Sequence, residues 1–333
     1  MEKDMQLPDI YFNEAYGHLY EKLECGIFNA HHFRCKFGEI YHPFICRVIP
    51  GTQEAPEYDL ITPYGYGGPI VLEATDRDAL VHAYGRHMDD YCAKNRIVSE
   101  FVRFHPLLKN SRDFASLYDV AYNRKTVCMN LLGGPEAFIS SLKKNIKHNY
   151  HKALKREVTI QIVEQPDHLD DFKQLYSMTM DRNHAQEYYY FADEYFSQML
   201  RTLGPNLLLT LAYYQGTVVG ALLCFRWQNR LLHGHLIGTD EKYLSSLGLS
   251  VLLYIETALW GSAHGFELFH LGGGLSGDPE DTLFQSKSRF LNMEPMEFYT
   301  GRKIWNNDRY ERLCAQANAD MTQPYFPAYR SAT

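Results

Sequence analysis

Three consecutive glycines closing a short apolar stretch constrain this chain more than any other feature. Residues 266–271 alternate large apolar groups with Glu267 and His270, the two-residue period of a strand. Gly272, Gly273 and Gly274 then remove every side chain from the strand's end. Such a run tolerates positive φ and lets a ligand or another backbone come close, with amides free to bind an anion or a carbonyl oxygen. A cationic segment with Lys287 and Arg289 follows. The same letters also describe a glycine-rich turn followed by a solvated basic strand.

Upstream, Leu249, Leu252, Leu253, Ile255, Leu259 and Ala263 keep a helical period over 249–264, entered through 245–248 and ended near Gly265. Residues 206–212 and 218–227 predict two strands joined at Tyr214-Gln215-Gly216, and 231–237 a third. Length bounds the rest: 333 residues with 45% hydrophobic content make room for two cores. A net charge of −7 argues against a surface that attracts nucleic acid everywhere, while leaving a local basic face open. The seven cysteines are scattered without a C-x-x-C pair, so neither a disulfide framework nor a metal site is expected, and a reducing cytosol suits them. The start, Met1-Glu2-Lys3-Asp4, has no apolar signal region, and no window approaches the roughly 18 apolar residues of a membrane span.

Along the chain, a helix is predicted over 11–24 and strands over 27–37 and 40–49, with Arg47 inside the second and in need of a partner. Tyr64-Gly65-Tyr66-Gly67-Gly68-Pro69 reads as a tight loop presenting two phenols, or as a well-packed turn. A helix over 79–94 precedes a strand over 97–104, at whose end Arg103 and His105 form an anion clamp or a base, or else an ion pair and a capped core histidine. Gly133-Gly134-Pro135 marks the boundary between the halves. Over 138–157 one long amphipathic helix is predicted: Ile139, Leu142, Ile146, Tyr150, Ala153 and Leu154 share an arc of roughly 120°. Its other side carries Lys143, Lys144, Lys147, Lys152, Lys155 and Arg156 with His148 and His151, either a solvated face or a contact for a phosphate-rich donor. Helices over 166–183 and 188–203 set Arg182 beside an aromatic cluster, and a last helix covers 307–320.

Taken in order, Thr62-Pro63-Tyr64-Gly65-Tyr66-Gly67-Gly68-Pro69, Val102-Arg103-Phe104-His105-Pro106-Leu107, Met180-Asp181-Arg182-Asn183-His184-Ala185, Tyr190-Phe191, the run from His270 to the glycines, and 283–290 resemble the Fem-type family. These are the peptidoglycan-bridge aminoacyltransferases and their acyltransferase relatives, built from two domains like the Gcn5-related N-acetyltransferases (GNAT). The resemblance covers most of the chain. It implies an α+β fold of tandem GNAT-like domains, each a mixed, mostly antiparallel sheet flanked by helices, with a cleft between them. The expected division is 1–134, completed by 300–333, and 135–299 as the acyltransferase domain. The implied activity moves an acyl or aminoacyl group from acyl-CoA or aminoacyl-tRNA, a co-substrate and not a tightly bound cofactor, to an amine on an amino sugar, peptide or lipid-linked precursor of the cell wall or a surface polysaccharide. The enzyme would be cytoplasmic, meeting a lipid-linked acceptor at the inner membrane surface, with no DNA partner and no transmembrane segment. A noncatalytic GNAT-like binding module, or an amide-forming enzyme with a small-molecule product, are the alternatives.

Because such a donor is already activated, the protein needs no nucleophile of its own; it must orient both partners, take a proton from the amine and stabilise an oxyanion. The expected catalytic groups are Lys287, His105, His270 and Glu256. Lys287 matches the lysine of the family's Leu-Phe-x-Phe-Lys-x-x-Phe segment, implied to steady the donor carbonyl or acceptor phosphates, although Ser286 replaces its middle Phe. The donor would be bound by Gly248, Ser250, Gly272, Gly273 and Gly274. Against the GNAT phosphate pattern Gln/Arg-x-x-Gly-x-Gly/Ala, the aligned Ser245, Gly248 and Ser250 keep only the first glycine. The substrate side is expected at Tyr64, Tyr66, Gly67, Arg103, Arg182, Tyr190 and His235. The long helical arm of the staphylococcal relatives is missing, so a tRNA donor would be held through the basic helix over 143–156.

Overall fold

In this computed structural model, which describes residues 6–331, local signals set most element boundaries. A single 3-10 turn (Ile10–Phe12) leads into α1 (Glu14–Leu19), begun where Asn13 accepts the Ala15 amide at 2.8 Å. Strands β1 (Gly26–Cys35), β2 (Gly38–Val48), β3 (Tyr58–Ile61) and β4 (Ile70–Ala74) follow, then α2 (Arg77–Lys94), capped by Asp76, β5 (Ile97–Arg103) and β6 (Asp119–Asn130). Helices α3 (Gly134–Ser141) and α4 (Lys144–Leu154) precede β7 (Thr159–Glu164), α5 (Asp170–Arg182) and α6 (Asp193–Leu203). Three strands, β8 (Leu207–Tyr214), β9 (Thr217–Trp227) and β10 (Leu231–Thr239), lead to α7 (Glu241–Leu247) and α8 (Leu249–Ala263). The chain ends with β11 (Leu268–Gly273), α9 (Thr282–Ser288), β12 (Met296–Ile304) and α10 (Asn307–Gln316).

These elements form two compact units, one made of the residues up to Asn123 and from Glu297 onward, the other of Arg124–Met296. The first division thus falls inside β6, ahead of the Gly133-Gly134 pair. The first unit's sheet has the order β1-β2-β3-β5-β12, with β4 also on β2, and is antiparallel except for the parallel β3/β5 pair. On α2, Leu80, Tyr84, Met88 and Cys92 recur at helical spacing and pack with Ile40, Phe44, Val102 and Phe104 in its core. Arg47 finds the partner it needs: its Nε donates to Asp59 Oδ1 at 2.7 Å, across the β2/β3 register that sets the two residues opposite each other. Asp59 also accepts from Tyr329 and Arg330, which ties the C-terminal segment to this unit.

The second unit's sheet runs β6-β11-β10-β9-β8-β7, antiparallel throughout except between β10 and β11. Its core is organised on α8, a helix apolar on nearly every side, whose Leu249, Leu252, Leu253 and Ile255 are fully buried beside Phe138, Ile146, Leu208, Leu222 and Phe269. Both units are therefore α+β, with mixed and mostly antiparallel sheets flanked by helices, as expected. Among the described residues no single helix is long and apolar enough to cross a membrane.

Several boundaries differ from the sequence reading, each for a local reason. The helix expected over 138–157 is broken: Leu142 and Lys143 are extended, because Ser141 turns its hydroxyl back to the Phe138 carbonyl (2.6 Å) and accepts from Asn292 (2.8 Å). The helix expected from 188 starts only at Asp193, after a separate 3-10 turn over Glu187–Tyr189. The entry to α8 is itself helical: Asp240 caps α7, and Gly248, at φ 70°, closes it. Lys287 lies on α9 and not on a strand. The first helix shrinks from 11–24 to a 3-10 turn and α1.

Candidate active site

The parallel pair at the centre of the second unit is paired only at its start. Between β10 and β11 the register is Leu231↔Leu268, Leu232↔Phe269 and His233↔His270, and there the ladder stops although both strands continue. Each strand also has a bulge at the point of parting, β10 between Gly234 and Leu236 against β9, and β11 between His270 and Gly272 against β6. A bulge sharpens local twist and re-aims side chains. The two strands thus diverge from a buried histidine pair, His233 and His270, whose rings meet edge to face at 5.6 Å. His270 Nε2 shares a hydrogen bond with Thr126 Oγ1 at 2.9 Å.

Each glycine of the triplet has its own reason to lack a side chain. Gly272 has φ 74°; a Cβ on Gly273 would lie 3.1 Å from both Arg124 Cδ and the Lys125 carbonyl oxygen, and one on Gly274 would overlap the Asp281 carboxylate. The exposed carbonyls of this strand end are held by cations. Lys287 Nζ donates to Gly273 O at 2.9 Å, and Arg124 donates to Gly274 O at 2.7 Å. Burial draws the Lys287 ammonium down from 10.5 to about 8, with Asp281 opposing the shift. A protonated, half-buried lysine is thereby fixed at the end of the strand that parts from β10.

Asp281 was not among the residues that the sequence reading singled out. It caps α9 through the Phe284 amide (2.8 Å) and accepts the Leu275 and Ser276 amides at 2.6 and 2.7 Å. Those bonds hold its carboxyl below the ordinary range against the opposing effect of desolvation. The signal was an aspartate directly before Thr-Leu-Phe, a helix start.

At the other end of the unit, Gly248 joins α7 to α8. Its amide is spent on the Leu244 carbonyl and its carbonyl accepts from Val251 and Leu252, with Ala153 of α4 lying 3.3 Å from where a Cβ would stand. Ser250 follows in the first turn of α8. Glu256, further along α8, accepts from the Tyr150 hydroxyl of α4 at 2.7 Å. The basic segment touches both donor-side features: Lys143 Nζ donates to Ser288 O, beside Lys287, and Arg156 donates to Ser245 O, before Gly248. None of its six lysines and arginines forms an ion pair among the described residues.

Arg182 and Tyr190 belong to the α5–α6 side. Arg182 donates to the Thr239 carbonyl (3.0 Å) and hydroxyl (3.2 Å), while Thr179 accepts the Thr239 amide at 2.9 Å, so the end of β10 is bound to α5. Tyr190, 43% exposed, donates to Asp181. His235, the residue at the β10 bulge, meets the Tyr195 hydroxyl at 2.8 Å and lies against Phe225 and Phe191; burial draws it down to about 3, so it stays neutral.

The remaining expected residues are in the first unit. The Tyr64–Gly68 turn is tightly packed: the Tyr64 carbonyl accepts from Tyr16, its ring stacks on Tyr20, and Tyr66 meets Tyr11, His105 and Phe298 edge to face. Gly67 is fixed from both sides, its amide donating to Arg103 O and its carbonyl accepting from the buried Asn110. Arg103 donates to Thr62 O at 2.7 Å and to Glu24 at 3.3 Å. His105, wholly buried, accepts the Leu108 amide on Nδ1 and turns Nε2 to Asp9 at 3.0 Å.

Fold defines the class: the chain has the fold shared by Fem-type and GNAT-like proteins, two α+β units of which the second carries the match to a GNAT family model. Residues 140–279 match the family model described as "Acetyltransferase (GNAT) domain". Among solved structures the chain is similar to FemX, with a TM-score of 0.71 over 93% of this chain and 95% of that one at 10% identity. It is similar to L-PGS from Bacillus licheniformis (0.56, 91% and 94%, 11% identity) and to the C-terminal domain of a putative lysylphosphatidylglycerol synthetase from Agrobacterium fabrum (0.54, 84% and 85%, 13% identity). No curated protein matches the chain.

Proposed function

We propose that the chain transfers an acyl or aminoacyl group from an activated carrier to an amine, and that the carbonyl is handled where β10 and β11 part. The observation that carries this reading is Lys287, a half-buried ammonium fixed on Gly273 O at the end of a diverging strand. In the reaction the amine nitrogen attacks the carbonyl carbon; a C–N bond forms, the bond to the carrier oxygen or sulfur breaks, the amine loses a proton and the carrier gains one. Lys287 has two donors beyond the one on Gly273, and they are suited to the oxyanion that develops on the carbonyl oxygen. His270 sits at the branch point and is our choice for positioning or proton transfer. We read Glu256, Arg182, Arg103 and His105 as supports, since each is bonded to a neighbouring side chain or carbonyl.

For the donor we favour aminoacyl-tRNA over acyl-CoA. A pyrophosphate held in the GNAT manner uses amides at a helix start, and at Gly248 that amide already closes α7. Six unpaired cations between Lys143 and Arg156, without a carboxylate among them, suit a row of phosphates better than a single pyrophosphate. The acetyltransferase description of the matching family model keeps acyl-CoA as the second reading. The acceptor we propose is an amine on a cell-wall or surface-polymer precursor. Binding of charged tRNA and of acetyl-CoA, each measured from about 50 to 200 mM salt, separates the donors: the tRNA affinity is expected to fall by orders of magnitude, and acetyl-CoA not to bind. Tight, salt-insensitive binding of acetyl-CoA alone would reverse the choice.

A further inference from the structure

We propose that Asp281 is the positioning residue of the transfer site: its carboxylate joins the loop after the triple glycine to the helix bearing Lys287 and keeps a counter-charge beside that lysine. The proposal rests on the role given to Lys287 above. Capping α9 takes one oxygen and one amide, that of Phe284. The second oxygen goes elsewhere, accepting the Leu275 and Ser276 amides and the Ser276 hydroxyl. One carboxylate therefore bridges the strand end and the helix, while Lys287 of the same helix donates to Gly273 O. Gly274 is the residue that admits this bridge, since a methyl there would overlap the carboxylate.

The charges around Lys287 make the bridge more than a fastening. Arg124 of β6 donates to Gly274 O, and Lys143, ahead of α4, donates to Ser288 O, so two further cations approach the same segment. Asp281 is 9% exposed and forms no ion pair of its own among the described residues. Its negative charge raises the lysine's proton affinity against burial. Removing its charge while keeping its shape should let Lys287 lose its proton at lower pH.

Competitive acetylation of amines by acetic anhydride across pH, read at the Lys287 peptide by mass spectrometry, measures that directly and independently of turnover. In the wild type the midpoint is expected at about 8. In Asp281→Asn it should fall by about half a unit or more, while Ser276→Ala, which keeps the carboxylate, should leave it in place. In transfer assays Asp281→Asn should lower kcat on the order of tenfold to a hundredfold and move the alkaline limb of the pH profile acidward; Ser276→Ala should not move that limb. A folded Asp281→Asn protein with the wild-type midpoint overturns the proposal. If that variant does not fold, Gly274→Ala takes its place: its methyl pushes the carboxylate aside, the same shift is expected, and an unchanged midpoint again overturns it. A wild type that transfers nothing, yet whose Lys287 midpoint follows Asp281, would sink the acyltransferase reading and leave the coupling standing.

Discussion

Lys287 keeps its proton in a place that disfavours it, and that has a measurable consequence for stability. Burial lowers its folded-state affinity to about 8 from an ordinary 10.5. Between those values the unfolded chain binds the proton more strongly than the folded one, so stability rises with pH over that window and carries the whole penalty below it. Lys287→Met, which keeps the length without the charge, is expected to melt higher than wild type at pH 7, with the difference shrinking by pH 10 and transfer lost at both. Thermal melts at the two pH values check this; an equal difference at both would mean that the charge is not what the fold strains against. His235 and His31 work at the acid end. Burial draws them down to about 3 and about 4, so below about 6.5 the unfolded chain takes protons that the folded one refuses, and stability falls as pH drops. At this scale the sequence showed Lys287 through a motif, while Asp281 stayed hidden because its role comes from a contact across the loop.

Among the elements, hydrophobic period was a partial guide to which residues are buried, since Leu154 of the predicted arc lies at the end of α4 and is 47% exposed, and a poor one to where helices stop. Ile146, Tyr150 and Ala153 face the core as their arc required, yet the helix breaks before them at Leu142, where a serine and an asparagine far along the chain decide the matter. Leu142 itself stays buried on either side of that break, so the period gave no warning. The strand read over 266–271 exists but runs over 268–273, taking in two of the glycines, and its parting from β10 could not be read at all, since non-local pairing leaves no mark in a single strand's letters. Arg103 and His105 took the ion-pair and capped-histidine forms, one of two readings the residues allowed. The strand that leads into α7 is held just as closely by α5. A Cβ on Gly238 would lie 2.6 Å from the Tyr176 amide nitrogen and 2.7 Å from the Leu175 carbonyl carbon, both backbone atoms that cannot step aside. Gly238→Ala is therefore expected to destabilise the protein by about 1–3 kcal/mol, measured by urea unfolding; a wild-type midpoint would show that α5 is not seated against β10.

At the scale of the whole molecule, the order of motifs along the chain pointed to the fold, and the likeness to FemX over 93% of the chain is of that fold. The division into two α+β units left no internal sequence repeat, because each core needs a pattern of apolar positions and a total volume, not the same residues. Composition was informative through its unevenness: a chain of net charge −7 concentrates six unopposed cations between Lys143 and Arg156, and the salt dependence of donor binding follows from that contrast. The central claim, that a fixed ammonium at the end of a diverging strand serves acyl transfer, is tested most directly by the mass of the amide product formed by wild type and by Lys287→Ala from the same donor and amine. The account predicts product from the wild type and none from the variant, whose melting temperature stays within a few degrees; a folded Lys287→Ala protein that makes product at the wild-type rate would contradict it.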